Sequence, residues 1–146
     1  MLIVIFGENC TGKSTLADKI KSIMPCKITA GKDYLRLAKN EEIARKIFID
    51  KLLDSVNGEN LIHIISDKEQ LRWIPEGAVR ILVTADIETI KSRFAKRIGG
   101  KLPEPVKNML ERNHGSFDNE PHELHVVSNE TDLDLLCDQL ISGNFS

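Results

Sequence analysis

The chain opens on an unbroken apolar run ending in Leu2-Ile3-Val4-Ile5-Phe6, and similar runs recur at Leu61 to Ser66, Val79 to Thr84 and Leu124 to Val127. Such runs suit strands of a parallel sheet covered on both faces. Lys27 to Ala30 is a shorter strand candidate. The stretches between them change to helical spacing. Leu16, Ile20 and Ile23 form one stripe of a helix from Ser14 to Met24, stopped by Pro25. Ile43, Ile47, Leu52 and Val56 do the same for the longest helix, which closes at Asn57-Gly58. Ile87, Ile90, Phe94 and Ile98 follow the cap residue Asp86 and end at Gly99-Gly100. Leu133, Leu136, Leu140 and Ile141 follow Thr131-Asp132-Leu133-Asp134, a start like a capping box, and Gly143 ends that helix. Lys68 to Trp73 and Val106 to Asn113 read as short helical pieces, Pro75-Glu76-Gly77 as a turn and Gly115 to Pro121 as a loop. Strands alternating with helices predict one α/β domain over 1–146, with a five-stranded parallel sheet between helical layers.

The segment joining the first strand to the first helix carries the clearest chemistry. Gly7-Glu8-Asn9-Cys10-Thr11-Gly12-Lys13-Ser14 fits G-x-x-x-x-G-K-[ST], the phosphate-binding loop. Glycines let successive amide hydrogens turn toward one anion, and the helix N-terminus adds its partial positive charge. Lys13 is expected on the β and γ phosphates of ATP, Ser14 on Mg²⁺, and Thr15 on the α-phosphate side. Cys10 reads as a small side chain within the loop.

A second concentration of charge lies downstream. Arg93 and Arg97 stand one helical turn apart and share a face, and planar guanidinium groups suit phosphate oxygens. With Lys96, Lys101 and Arg112 they fall between Gly99-Gly100 and His114-Gly115 or just before it, which describes a small basic lid over about 93–120. Pro103, Pro105 and the charge imply that this lid is mobile when empty.

Neither the Asp-x-x-Gly turn nor the Asn-Lys-x-Asp base reader of guanine-nucleotide switches occurs, and the chain is too short for a transporter ATPase. With the loop above, Ile81 to Asp86 and then Ile90 to Arg97 resemble the strand and lid-entry helix of small P-loop kinases. The resemblance is to the nucleoside and nucleotide (adenylate, cytidylate) and shikimate and gluconate types, and it covers essentially the whole chain. It implies a three-layer α/β/α P-loop NTPase fold, ATP and Mg²⁺ as cofactors, and a small-molecule phosphate acceptor. Ile28 to Arg36 is similar to the adenylate kinase segment that holds the accepting monophosphate, with one residue inserted and Thr replaced by Ala. It implies Arg36 on an acceptor phosphate, or Asp33 orienting or deprotonating an acceptor hydroxyl. Arg97 and Arg112 join the acceptor side. Asp67, at the carboxyl end of the third strand, is a candidate base or holder of a Mg²⁺-bound water. It is followed by Lys-Glu-Gln, where adenylate kinases carry Gly-Phe-Pro-Arg. The resemblance further implies a base pocket at Ser128-Asn129-Glu130, with Asn129 at the base edge and Arg93 over adenine. A nucleoside or nucleoside monophosphate ranks first as acceptor and a sugar or hydroxy acid second. A nucleotide-binding module without kinase activity is the rival reading.

Composition narrows the setting. The 146 residues hold 20 Lys and Arg against 22 Asp and Glu, for a net charge of −2. That gives no broad positive field for a nucleic-acid polymer. No apolar run is long enough to span a bilayer, and no basic segment precedes the first apolar run, so a secretory signal is not expected. Cys10, Cys26 and Cys137 are odd in number and far apart, which points to reduced thiols in the cytoplasm. His63 reads as a core-edge residue, the other histidines as loop residues and Trp73 as packing. A monomer or homodimer is expected.

Overall fold

Five strands, β1 (Leu2–Phe6), β2 (Lys27–Ala30), β3 (Leu61–Ile65), β4 (Val79–Thr84) and β5 (Leu124–Val127), form one sheet in the order β2-β3-β1-β4-β5. They are drawn from a computed structural model that describes residues 1–143; the last three of the expected 1–146 domain lie outside the described residues. All four pairings are parallel. Phe6 is in register with Ile65 on one side and Leu82 on the other, so the central strands end level at one rim. The sheet order reverses at β1, and the connection leaving β1 therefore emerges at the switch point where open α/β sheets bind ligands.

The period of two along β1 divides the core. Ile3 and Ile5 face helices α1 (Lys13–Ile23) and α5 (Leu133–Ser142) and meet Leu16, Ile20, Leu136 and Leu140. Leu2, Val4 and Phe6 face α2 (Glu41–Val56) and meet Phe48 and Leu52. A third cluster lies over the rim, where α3 (Ile87–Arg97) and α4 (Glu104–Asn113) bring Ile90 and Leu110 against Cys10 and Ala85. The three-layer α/β/α fold with a five-stranded parallel sheet is thus the observed architecture.

Several faces differ from the periodic pattern. On α2 the buried residues are Ala44, Phe48 and Leu52, while Ile43 is 53% exposed and Ile47 and Val56 are half-buried. The helix turns the ring of Phe48 inward, and the small Ala44 allows close approach to the sheet, so the stripe lies one position round from the expected one. Ile23, Ile98 and Ile141 are exposed although each lies on its predicted stripe. All three stand at or just beyond the last turn of their helices. Gly31–Leu37 forms a 3-10 helix that the sequence pattern did not announce. α4 begins at Glu104, two residues early, because Pro105 in the first turn removes only an amide that would have no helical partner. Asp132, rather than Thr131, caps α5 by accepting from the amides of Asp134 and Leu135. Among the described residues no helix is long and apolar enough to cross a membrane.

Candidate active site

The loop between β1 and α1 is folded by its own residues. Gly7 has φ 157°, and a Cβ there would collide with the carbonyl oxygen of Val83. Gly12 has φ 100° and Cys10 φ 64°, conformations that turn the backbone around a concavity at the start of α1. Thr11 is buried, and its hydroxyl donates to the Glu8 carbonyl at 3.0 Å. Lys13 is also buried, and its Nζ donates to the carbonyls of Gly7 at 2.9 Å and Glu8 at 2.5 Å. Burial pulls the ammonium pKa down to about 8, and Arg97 adds in the same direction against the raising effects of Cys10 and Glu8. Ser14 and Thr15 are exposed on the first turn of α1.

Two clefts flank this loop. One, of about 350 Å³, opens at its mouth, and its lining includes Asn9, Lys13, Ser14, Gly31, Ser66 and Arg97. The other, about 530 Å³, is lined by Gly12, Thr15, Leu16, Val127 and Asn129, with Arg93 and Arg97 on its rim. Arg97 lines both. Arg93 donates to the Cys10 carbonyl at 3.1 Å, to Ser128 Oγ at 2.9 Å and to Asn129 Oδ1 at 3.5 Å, joining α3 to the phosphate loop and to the turn after β5. Asn129 holds φ 68° there.

The fold therefore brings together Gly7 to Thr15, Arg93, Arg97 and Asn129. Of the residues expected on the acceptor side, Arg97 lines both clefts, and Asp33, Arg36, Asp67 and Arg112 are outside their linings. Asp67 is not in the lining of either cleft; it caps the 3-10 helix Lys68–Trp73, its Oδ1 accepting from the Glu69 amide at 3.0 Å. Ser66, one residue earlier, faces the mouth instead. Asp33 accepts from the Ala30 amide at 2.9 Å and lines a separate cavity of about 430 Å³ with Tyr34 and Phe48. Arg36 and Arg112 are exposed and line neither cleft. Among the described residues no group of three His, Cys, Asp or Glu is placed to hold a metal ion. The donors present suit a magnesium ion that arrives with a polyphosphate, to which the Ser14 hydroxyl adds a hard oxygen ligand.

Sequence reasoning also missed a buried polar chain between β2, β3 and the 3-10 helices that follow them. His63 is fully buried in β3, with Thr29 Oγ1 at 2.8 Å from Nδ1 and Gln70 Oε1 at 3.0 Å from Nε2; Gln70 Nε2 in turn donates to the Gly31 carbonyl at 2.9 Å. Burial lowers the His63 pKa, so the ring stays neutral. One signal was available: a polar ring in the middle of a buried strand requires partners. The segment expected to form the lid packs onto the rest of the fold. α4 packs on α3 through Leu110, and Phe117 in the following loop is buried against Phe6 with ring centroids 6.0 Å apart.

No protein-family model and no curated protein sequence matches the chain. Solved structures do. A shikimate kinase from Acinetobacter baumannii in complex with shikimate aligns at TM-score 0.64 and 14% identity, covering 98% of this chain and 93% of that one. A gluconokinase from Sinorhizobium meliloti aligns at TM-score 0.60 and 13% identity, covering 97% and 90%. The YorR protein from Bacillus subtilis, in complex with phosphorylated GDP, aligns at TM-score 0.59 and 21% identity, covering 97% and 94%. The chain has the fold of the small P-loop kinases, matched over nearly its whole length.

Proposed function

We propose that the protein is an ATP-dependent phosphotransferase that moves the γ-phosphate of ATP to a small molecule, with Mg²⁺. The observation that carries this reading is Arg97, which lines both the nucleotide-sized cleft and the mouth of a preformed phosphate loop. A cation spanning the two sites stands where negative charge must be stabilised during transfer. Lys13 and the loop amides bind the polyphosphate, Ser14 takes the metal, Arg93 and Asn129 line the base side, and Arg97 orients the transferring group. Magnesium supplies charge neutralisation on the phosphate oxygens.

For the acceptor, a nucleoside or nucleoside monophosphate ranks first. Among the described residues that line the mouth, Lys13 and Arg97 are charged and none is a carboxylate. Within that first reading the arrangement favours the monophosphate, whose acceptor oxygen is already ionised, over the nucleoside, whose hydroxyl needs a base. A sugar or hydroxy acid remains the second reading, favoured by the gluconokinase and shikimate kinase neighbours. In that case Asp33 would have to leave the Ala30 amide to reach the acceptor. The three free cysteines and the modest charge support a cytoplasmic enzyme acting on small molecules rather than nucleic-acid polymers, and a monomer or homodimer is part of the same proposal.

The test is ADP release from MgATP across nucleosides, nucleoside monophosphates, shikimate, gluconate and simple sugars, with Lys13→Ala as blank. One acceptor raises the rate, and Arg97→Ala lowers kcat for it by roughly 10²- to 10³-fold. A flat panel with MgATP still bound would instead favour a nucleotide-binding module without kinase activity.

A further inference from the structure

Glu8 is the second residue of the phosphate loop, one position from the glycine that opens it. A free carboxylate there would compete with a polyphosphate for the Lys13 ammonium, since both are anions beside one buried cation. The structure shows the carboxylate turned away. Its Oε1 accepts from His114 Nδ1 at 3.2 Å and its Oε2 from the Gly115 amide at 3.2 Å, and the side chain is 10% exposed. Lys13 donates to the backbone carbonyl of Glu8, not to the carboxylate.

The partner segment is itself anchored. Gly115 has φ 80°, a conformation that suits glycine, and turns the chain out of α4. Two residues on, the Phe117 ring packs against Phe6, the residue just before Gly7. Lys68 holds the same stretch through the Ser116 carbonyl at 3.0 Å and the Glu120 carboxylate at 3.4 Å. The exit of the lid and the entry of the phosphate loop thus form one joint.

We propose that Glu8 is a positioning residue whose carboxylate is held by His114 and Gly115, so that docking of the lid exit keeps Lys13 available to phosphate. Release of that segment makes Glu8 an internal competitor for the same lysine. Lid docking and polyphosphate binding are then coupled through one side chain. The inference rests on the reading of this loop as a triphosphate site.

The experiment is calorimetric binding of MgATP to the full chain, the His114→Ala variant and the His114→Ala/Glu8→Gln double variant, each checked for an unchanged melting temperature. His114→Ala weakens binding roughly tenfold. Adding Glu8→Gln restores it to near the wild-type value, because the amide still accepts from Gly115 but no longer competes for Lys13. A purely structural contact would give no such rescue. Unchanged binding in His114→Ala, or a loss that Glu8→Gln does not repair, overturns the proposal. Wild-type protein that does not bind MgATP overturns the triphosphate reading and this inference with it. Should His114→Ala fold poorly, Phe117→Leu with and without Glu8→Gln asks the same question through the neighbouring anchor.

Discussion

Arg93 and Cys10 are joined across 83 positions of sequence: the guanidinium Nη1 donates to the Cys10 carbonyl at 3.1 Å while Nη2 reaches Ser128 Oγ at 2.9 Å. Cys10 holds a left-handed backbone conformation, and the bond fixes its peptide plane from outside the loop. The shape of the phosphate loop therefore depends on α3 and on the turn after β5 as well as on its own glycines. Arg93→Ala removes three donated bonds and any contact to a base in the adjoining cleft. We expect MgATP affinity to fall about 10- to 100-fold, each charged hydrogen bond being worth roughly 1.5–3 kcal/mol. Arg93→Lys recovers little, because an ammonium cannot bridge both partners. Calorimetric titration checks both variants.

Lys13 provides a pH signature. Its pKa stands at about 8 in the ligand-free protein, and a bound polyphosphate favours the charged form. MgATP affinity is therefore expected to be level below pH 8 and to fall as pH rises above it, with proton uptake on binding in the alkaline range. Stability moves the opposite way. The folded pKa lies below the unfolded value of 10.5, so the unfolded chain binds more protons between about 8 and 10.5, and this group's penalty is relieved as pH rises through that window. Titration in buffers of different ionisation enthalpy detects the proton, and Lys13→Ala should show neither effect.

His63 is expected to shape the acid limb of stability. Its pKa is lowered by burial from 6.5, so below that pH the unfolded chain takes up a proton that the folded ring refuses. Stability from this group is complete above pH 6.5 and declines as pH falls toward the lowered folded value. Urea midpoints at pH 7.5 and 5.5 should differ more for the wild type than for His63→Gln. At neutral pH, Gln70→Ala leaves His63 Nε2 and the Gly31 carbonyl unsatisfied, at a cost of roughly 1–3 kcal/mol.

Gly7 should be the least replaceable glycine of the loop. Gly7→Ala places a methyl group against the Val83 carbonyl oxygen, which belongs to the buried β4 and has little freedom to move. Gly99→Ala meets nothing within 4 Å and carries only the strain of φ 110°, roughly 1–3 kcal/mol. We expect Gly7→Ala to abolish MgATP binding and lower the melting temperature further than Gly99→Ala does.

The phosphate loop and the strand and helix around it were legible because their signal is local. A buried strand, a turn with fixed glycine spacing and a helix start all lie within about two dozen consecutive residues. The Arg93 and Arg97 pair was legible for the same reason, as two guanidinium groups one helical turn apart. Asp67 shows the limit. It follows a strand whose end meets the cleft, yet a shift of one position decides which side chain faces it. Ser66 lines the mouth, while the Asp67 carboxylate caps a short helix. No periodicity in the sequence distinguishes those two outcomes.

What the sequence determined by itself was the alternation of strand and helix, the glycine-containing loop between β1 and α1 with its lysine, and the presence of a basic segment after β4. These follow from backbone geometry and from the hydrophobic period. The tertiary structure decided which face each helix buries, as with Phe48 displacing the expected stripe on α2, and where each long-range polar contact falls. The Thr29-His63-Gln70-Gly31 chain joins β2 and β3 to the 3-10 helices that follow them, and the Glu8 clasp joins residues more than a hundred positions apart. Their partners are chosen by which strand ends come to lie side by side in a sheet ordered β2-β3-β1-β4-β5, and that proximity exists only once the chain has folded.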